Sequence, residues 1–248
     1  MGNPVVHFDV NGPDPEATAT FYAELFGWQP EPIPDQGYWL IHTHSPRGID
    51  GGFGRTAPGT PPYVTFYVEA DDLPAVLDRA ESLGGKTISP VVEIPNMVTF
   101  AEFADPEGNV IGLIESAQGE GEPHAVVAVE SPRVEWFEVL GADPPGLWQF
   151  YRDLFDWRIK EPQSEGLAYG EVDTGAGKGI SGGIGSSPDG QSHVNLYAGV
   201  EDPQEYLDRA ERLGGRTLMP PTTMADQTTI ARFQDPQGTA FGVFNAIG

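Results

Sequence analysis

Cysteine is absent from this 248-residue chain, so neither a disulfide framework nor thiolate chemistry is open to it. Basic residues are scarce: 13 Lys and Arg stand against 37 Asp and Glu, a formal net charge of −24. Such a chain repels a phosphate backbone, so no nucleic acid partner is expected. No apolar run approaches the roughly 18 residues that cross a bilayer, so no membrane partner is expected either. The opening residues, MGNPVVHFDV, hold no basic segment followed by an apolar one, and Val6 stands where a myristoylation signal wants Ser or Thr. The expected location is cytoplasmic. What is present is ordinary: 39% hydrophobic and 20% charged residues, the balance of a globular chain with a core to bury. The acidic excess fits plain solubility, and it also fits attraction of a cationic ligand.

The chain repeats itself. LDRAESLGGKT (77–87) returns as LDRAERLGGRT (207–217), FYAELFGW (21–28) as FYRDLFDW (150–157), and DPEG (105–108) as DPQG (235–238). Order and spacing match, so this is a tandem duplication. Two domains are expected, 1–117 and 132–248, joined by a linker at 118–131. The stretch SAQGEGEPHAVVAVESP (116–132) is rich in Gly, Glu and Pro, with AVVAV (125–129) able to pair as a strand.

Each repeat halves again. VVHFDV (5–10) alternates as a strand does. Asp14 and Pro15 form a helix start, Phe21, Tyr22, Leu25 and Phe26 share a helical face, and Gly27 ends it. Short strands at GYWLIHTH (37–44) and GIDGGFG (48–54) follow. The order then restarts with PYVTFYVEA (62–70), a helix capped by Asp72, and a hairpin of MVTFAEF (97–103) and NVIGLIE (109–115) around DPEG. The second repeat reads likewise. The fold class is therefore α+β, with four βαβββ modules in all.

Paired βαβββ modules carrying D…FYxxLFGW, LxxAxxLGG and FxDPxGxxxxL resemble the vicinal oxygen chelate (VOC) superfamily, which includes glyoxalases, extradiol dioxygenases, fosfomycin-resistance enzymes and bleomycin-binding proteins. The resemblance covers nearly the whole chain. It implies that two modules curl into an open, barrel-like sheet. In the superfamily's metal enzymes a metal sits inside that sheet, held by His, Glu or Gln from four strands. The resemblance puts those positions at His7, Thr65, Gly112 and near Gly51 in the first repeat. In the second they fall at Trp136, Asn195, Gly242 and near Gly182. A divalent metal needs three or four converging N/O ligands. With glycine at Gly112 and Gly242, no metal site and no cofactor are expected, a divalent metal being the main alternative. A glycine there leaves room for a ligand against the backbone.

Strand alternation places His7 and Asp9 on the inner face, with Tyr63, Thr65 and Tyr67. The matching inner set in the second repeat is Trp136, Glu138, His193, Asn195 and Tyr197. Aromatics with a few polar groups are the usual lining of a small-molecule pocket, so these residues are the candidate ligand contacts. His7 is the candidate general acid or base, with Asp9 as the group that orients it. His42 and His44 in HTH have metal-like spacing but sit at an expected hairpin tip. GAGKGISGG (175–183) lacks the pattern of a phosphate loop.

Three functions stay open. One is metal-independent binding of an aromatic or cationic small molecule, as in sequestration or resistance. A second is a metal-independent lyase, isomerase or hydroxylase-type tailoring enzyme that uses His7. A third is a metal-dependent glyoxalase or dioxygenase with relocated ligands, for which Glu102 and His42 are available. The expected assembly is a monomer with an internal pseudo-dimer, or a homodimer.

Overall fold

Among the described residues, four aspartates start the four helices, each bonding a backbone N–H of the first turn ahead of a proline. Asp14 accepts from Ala17, Asp72 from Ala75, Asp143 from Gly146 and Asp202 from Gln204. The computed structural model describes residues 2–42, 48–95, 97–115, 131–162 and 168–245. The linker segment AVVAV and His44 lie outside these residues.

The first repeat runs β1 (Val5–Gly12), α1 (Pro15–Phe26), β2 (Pro30–Ile33), β3 (Tyr38–Ile41), β4 (Asp50–Arg55), β5 (Tyr63–Ala70), α2 (Leu73–Ser82), β6 (Lys86–Ile94), β7 (Val98–Ala104) and β8 (Val110–Glu115). The second runs β9 (Arg133–Gly141), α3 (Pro144–Phe155), β10 (Arg158–Lys160), β11 (Tyr169–Asp173), β12 (Ser181–Ser186), β13 (His193–Gly199), α4 (Pro203–Arg212), β14 (Arg216–Thr223), β15 (Thr229–Gln234) and β16 (Ala240–Asn245). Each repeat is thus two βαβββ modules and forms one mixed eight-stranded sheet. The orders are β2-β3-β4-β1-β5-β8-β7-β6 and β10-β11-β12-β9-β13-β16-β15-β14. The expected α+β class, with two modules in each of two sheets, is what the structure has.

The outermost strands explain what alternation does not reveal. β2 carries Pro30 and Pro32, β6 carries Pro90, and β14 carries Pro220 and Pro221. Proline cannot donate to a ladder and is confined to edges, so these strands break the pattern by which strands are read.

The sheets follow the repeats, but the compact units do not. One unit draws its described residues from Met1–His7, Thr65–Pro123 and Trp136–Val194, the other from Phe8–Val64, His124–Glu135 and Asn195–Gly248. Each unit therefore combines one module from each repeat. In the first, Phe66 packs on Phe137 at 4.4 Å between ring centroids and Tyr151 stacks on Trp157 at 5.5 Å. In the second, Tyr22 stacks on Trp28 at 5.9 Å and meets Phe241 edge-on at 5.3 Å. The repeated FYxxLF(G/D)W segment thus supplies the aromatic core of both units.

The DPxG turns end in the same cores. Asp105 Oδ1 accepts from the N–H groups of Glu107 and Asn109, both at 2.9 Å, and Oδ2 accepts from the Tyr151 hydroxyl at 3.0 Å. Asp235 Oδ1 accepts from the N–H groups of Gln237 and Thr239. Its Oδ2 and the Tyr22 hydroxyl, the counterparts of the bonded pair, are buried without a hydrogen bond. The Asp235 charge is still close enough to add to the burial that raises Tyr22. Burial likewise pushes both aspartates above the ordinary carboxylate value.

Candidate functional site

In the first unit, one row of residues crosses three adjacent strands of the first sheet. Tyr67 on β5 is the parallel partner of Gly112 on β8, and Gly112 is the antiparallel partner of Glu102 on β7. Paired positions project to one face. A Cβ built on Gly112 would come within 3 Å of three atoms of the Tyr67 ring. The room expected over Gly112 is therefore occupied by Tyr67, which lies across the bare backbone. His7 meets Tyr67 edge-on, with centroids 5.5 Å apart. Thr65 is fully buried and its hydroxyl donates to the Val110 carbonyl at 2.8 Å.

The second unit holds the equivalent row of the second sheet. Tyr197 on β13 pairs with Gly242 on β16, and Gly242 pairs with Arg232 on β15. A Cβ on Gly242 would again run within 3 Å of the Tyr197 ring, so the expected open wall is filled here too. Asn195 is 1% exposed and its Oδ1 accepts from Arg232 Nη2 at 2.6 Å.

A second arrangement also occurs twice. In the second unit, Tyr38 on β3 donates to Asp9 on β1 at 2.6 Å. In the first unit, Tyr169 on β11 donates to Glu138 on β9 at 3.0 Å and accepts from Trp136 Nε1 at 3.1 Å. Each phenol lies over a strand glycine, Tyr38 over Gly52 and Tyr169 over Gly183, so close that a Cβ would collide with the hydroxyl. Burial first, then the neighbouring carboxylate, pushes both phenols far up, so they remain protonated donors across physiological pH.

The remaining candidates are scattered. Tyr63 is half-buried at the start of β5. His193, at the start of β13, has Nδ1 2.9 Å from the Gln191 carbonyl, a local turn contact. His42 Nδ1 lies 3.4 Å from Asp50 Oδ2.

Sequence reasoning did not name Tyr38, Tyr169 or Arg232. The tyrosines had a signal: each repeat places one about a dozen residues before a Gly-Gly pair in a strand, where a large ring and an absent side chain suit each other. Arg232 had one as well, being the repeat partner of Glu102 with its charge reversed.

A model of the glyoxalase-like domain matches residues 6–114 and again 137–244. The chain belongs to the glyoxalase-like family. It resembles the anthracycline biosynthesis protein DnrV of Streptomyces peucetius, with 28% identity over 271 residues covering 95% of this chain and 90% of the relative. Among solved structures, the glyoxalase-like fold superimposes on the Mn(II)-bound glyoxalase from Novosphingobium aromaticivorans. That match has a TM-score of 0.69 and 15% identity, covering 100% of this chain and 82% of that one. Homoprotocatechuate 2,3-dioxygenase from Arthrobacter globiformis gives a TM-score of 0.70 at 14% identity, covering 98% and 80%. At such identities these structures speak for the fold alone.

The residues at the positions that the resemblance assigns to an ion do not fit one. A carboxylate at Gly112 or Gly242 would need the space Tyr67 and Tyr197 occupy. Thr65 gives its proton to a backbone carbonyl, and Asn195 gives its oxygen to a guanidinium. Among the described residues, no three His, Asp or Glu side chains are grouped to hold a metal.

Proposed function

We propose that this glyoxalase-like protein binds a small, planar organic molecule and acts without a metal. The observation that carries the reading is a tyrosine ring laid over a strand glycine in both repeats, at the position that the resemblance assigns to a metal ligand. His7 stands against the first row, and each unit also carries a phenol–carboxylate pair, with Trp136 bonded to one of them; such a mixture of flat apolar surface and fixed hydrogen-bonding groups suits an aromatic ligand with polar substituents. The relatedness to a protein of anthracycline biosynthesis supports the same class, since anthracyclines are fused-ring aromatics.

That relatedness also favours a second reading, in which the bound molecule is turned over. His7 would move the proton, and its edge-on contact with Tyr67 fixes the ring in place. The remaining residues would orient the substrate and keep water from it.

Native mass spectrometry with elemental analysis on gently purified protein tests the first reading. The expected result is no stoichiometric Fe, Mn, Zn or Ni, with or without an organic adduct; a stoichiometric metal would overturn it. Where a substrate is in hand, His7→Ala separates the two readings. Lost turnover with retained binding supports the enzyme, and full activity removes His7 from the chemistry.

A further inference from the structure

Arg232 is a charged residue whose needs are left unmet among the described residues. It is half-buried on β15, in a molecule with 37 carboxylates. Among the described residues its sole hydrogen-bond partner is the neutral amide oxygen of Asn195, at 2.6 Å, and no carboxylate lies within ion-pair distance. Its Nε is buried with no hydrogen bond. A guanidinium drawn partly out of water without counter-charge is costly, and folded proteins keep such groups paired. The repeat-equivalent position holds Glu102, so the strand does not require a cation here. Arg133 Nε is buried without a hydrogen bond as well, whereas Arg152 and Arg158 of the same repeat pair with Glu161 and Asp173.

From this we infer that Arg232 and Asn195 form an oxyanion site in the second repeat, and that its occupant is the carboxylate of a small organic acid. The planar fork of a guanidinium matches the two oxygens of a carboxylate, which supplies both the missing charge and the missing acceptor. Asn195 is buried and turns its oxygen to Nη2, which holds the fork in one orientation and leaves the remaining N–H groups for the ligand. The inference rests on the reading of the chain as a small-molecule binder and adds a charge to the ligand.

The test uses the full chain with three probes at constant ionic strength: benzoate, its neutral analogue benzamide, and inorganic phosphate. Calorimetry gives affinities, and the Arg232 Nε–H cross-peak in a ¹⁵N spectrum reports contact at the residue itself. Benzoate is expected to bind at least tenfold more tightly than benzamide and to shift that cross-peak. Arg232→Gln should bring benzoate down to the affinity of benzamide while benzamide binding stays as it was. Arg232→Lys, which keeps the charge and loses the fork, should fall between. Melting curves establish that each variant is folded, and the lysine variant decides the matter if the glutamine variant is not. Equal binding of benzoate and benzamide, or benzoate binding unchanged in Arg232→Gln, overturns the oxyanion site and leaves the small-molecule reading intact. Phosphate bound in preference to benzoate overturns the carboxylate assignment. Binding of none of the three removes the inference and the reading beneath it together.

Discussion

The row through Gly112 ends in an acid, Glu102; the row through Gly242 ends in a base, Arg232. Everything between is the same in both: a tyrosine, a glycine beneath its ring, and the same strand pairing. The duplicated chain has kept the part that backbone geometry enforces. The tyrosine and the glycine are fixed by each other, since either ring or side chain can fill that volume and not both. The charged residue at the end of the row has no such constraint, and there the copies part. Any difference in what the two repeats recognise is therefore expected to lie at positions 102 and 232 rather than in the shared scaffold.

The largest effect is expected where the scaffold is broken. Gly112→Ala and Gly242→Ala each place a methyl group against a tyrosine ring, and overpacking of this kind costs about 1–3 kcal/mol. Urea unfolding should show a loss in both, and each loss should shrink when the partner tyrosine is also cut back, in Tyr67→Ala or Tyr197→Ala backgrounds. Strictly additive losses would mean that the ring and the glycine do not compete for space.

A middle-sized effect separates the two DPxG turns. Tyr151→Phe removes a hydrogen bond to Asp105 and leaves a buried carboxylate oxygen one partner short, so a loss of about 1–3 kcal/mol is expected. Tyr22→Phe removes a hydroxyl that lies beside Asp235 without a hydrogen bond of ordinary geometry, so a smaller loss is expected. Equal losses would put a hydrogen bond between Tyr22 and Asp235 in solution.

The smallest effect is a pH dependence common to both turns. Asp105 and Asp235 have folded-state pKa values raised above 3.8, mainly by burial. In the window just above pH 3.8 the folded chain holds protons that the unfolded chain has released. The stability these two groups contribute is therefore complete below that pH and declines as pH rises through their folded values. Unfolding free energies of wild type and Asp105→Asn, measured across the acid range, should show the variant lacking part of that decline. Parallel curves would mean that Asp105 is not shifted.

Most of the architecture was legible in the sequence because repeats and caps are local. Asp14, Asp72, Asp143 and Asp202 mark helix starts whatever lies around them. The outer strands were harder, because Pro30, Pro32 and Pro90 erase the alternation that identifies a strand. The functional row was half legible. Gly112 and Gly242 stood out as glycines inside strands, yet the sequence has no means of saying that Tyr67 and Tyr197 would turn across them, because that depends on side-chain packing between neighbouring strands. Tyr38 and Tyr169 were missed for the same reason: each carboxylate they bond lies on a strand about thirty residues earlier in the chain.

The composition of the two compact units bears on how the chain comes to fold. Each is assembled from one module of either repeat, so a polypeptide cut between the repeats would yield two pieces, neither containing a finished unit. Two such pieces would have to find each other by diffusion, and their yield would depend on concentration. In the intact chain the second half is delivered already tethered, at the high effective concentration that a covalent connection provides. Synthesis itself would set the order of events: the ribosome would release half of each unit first, and both would wait for the C-terminal repeat before they could close.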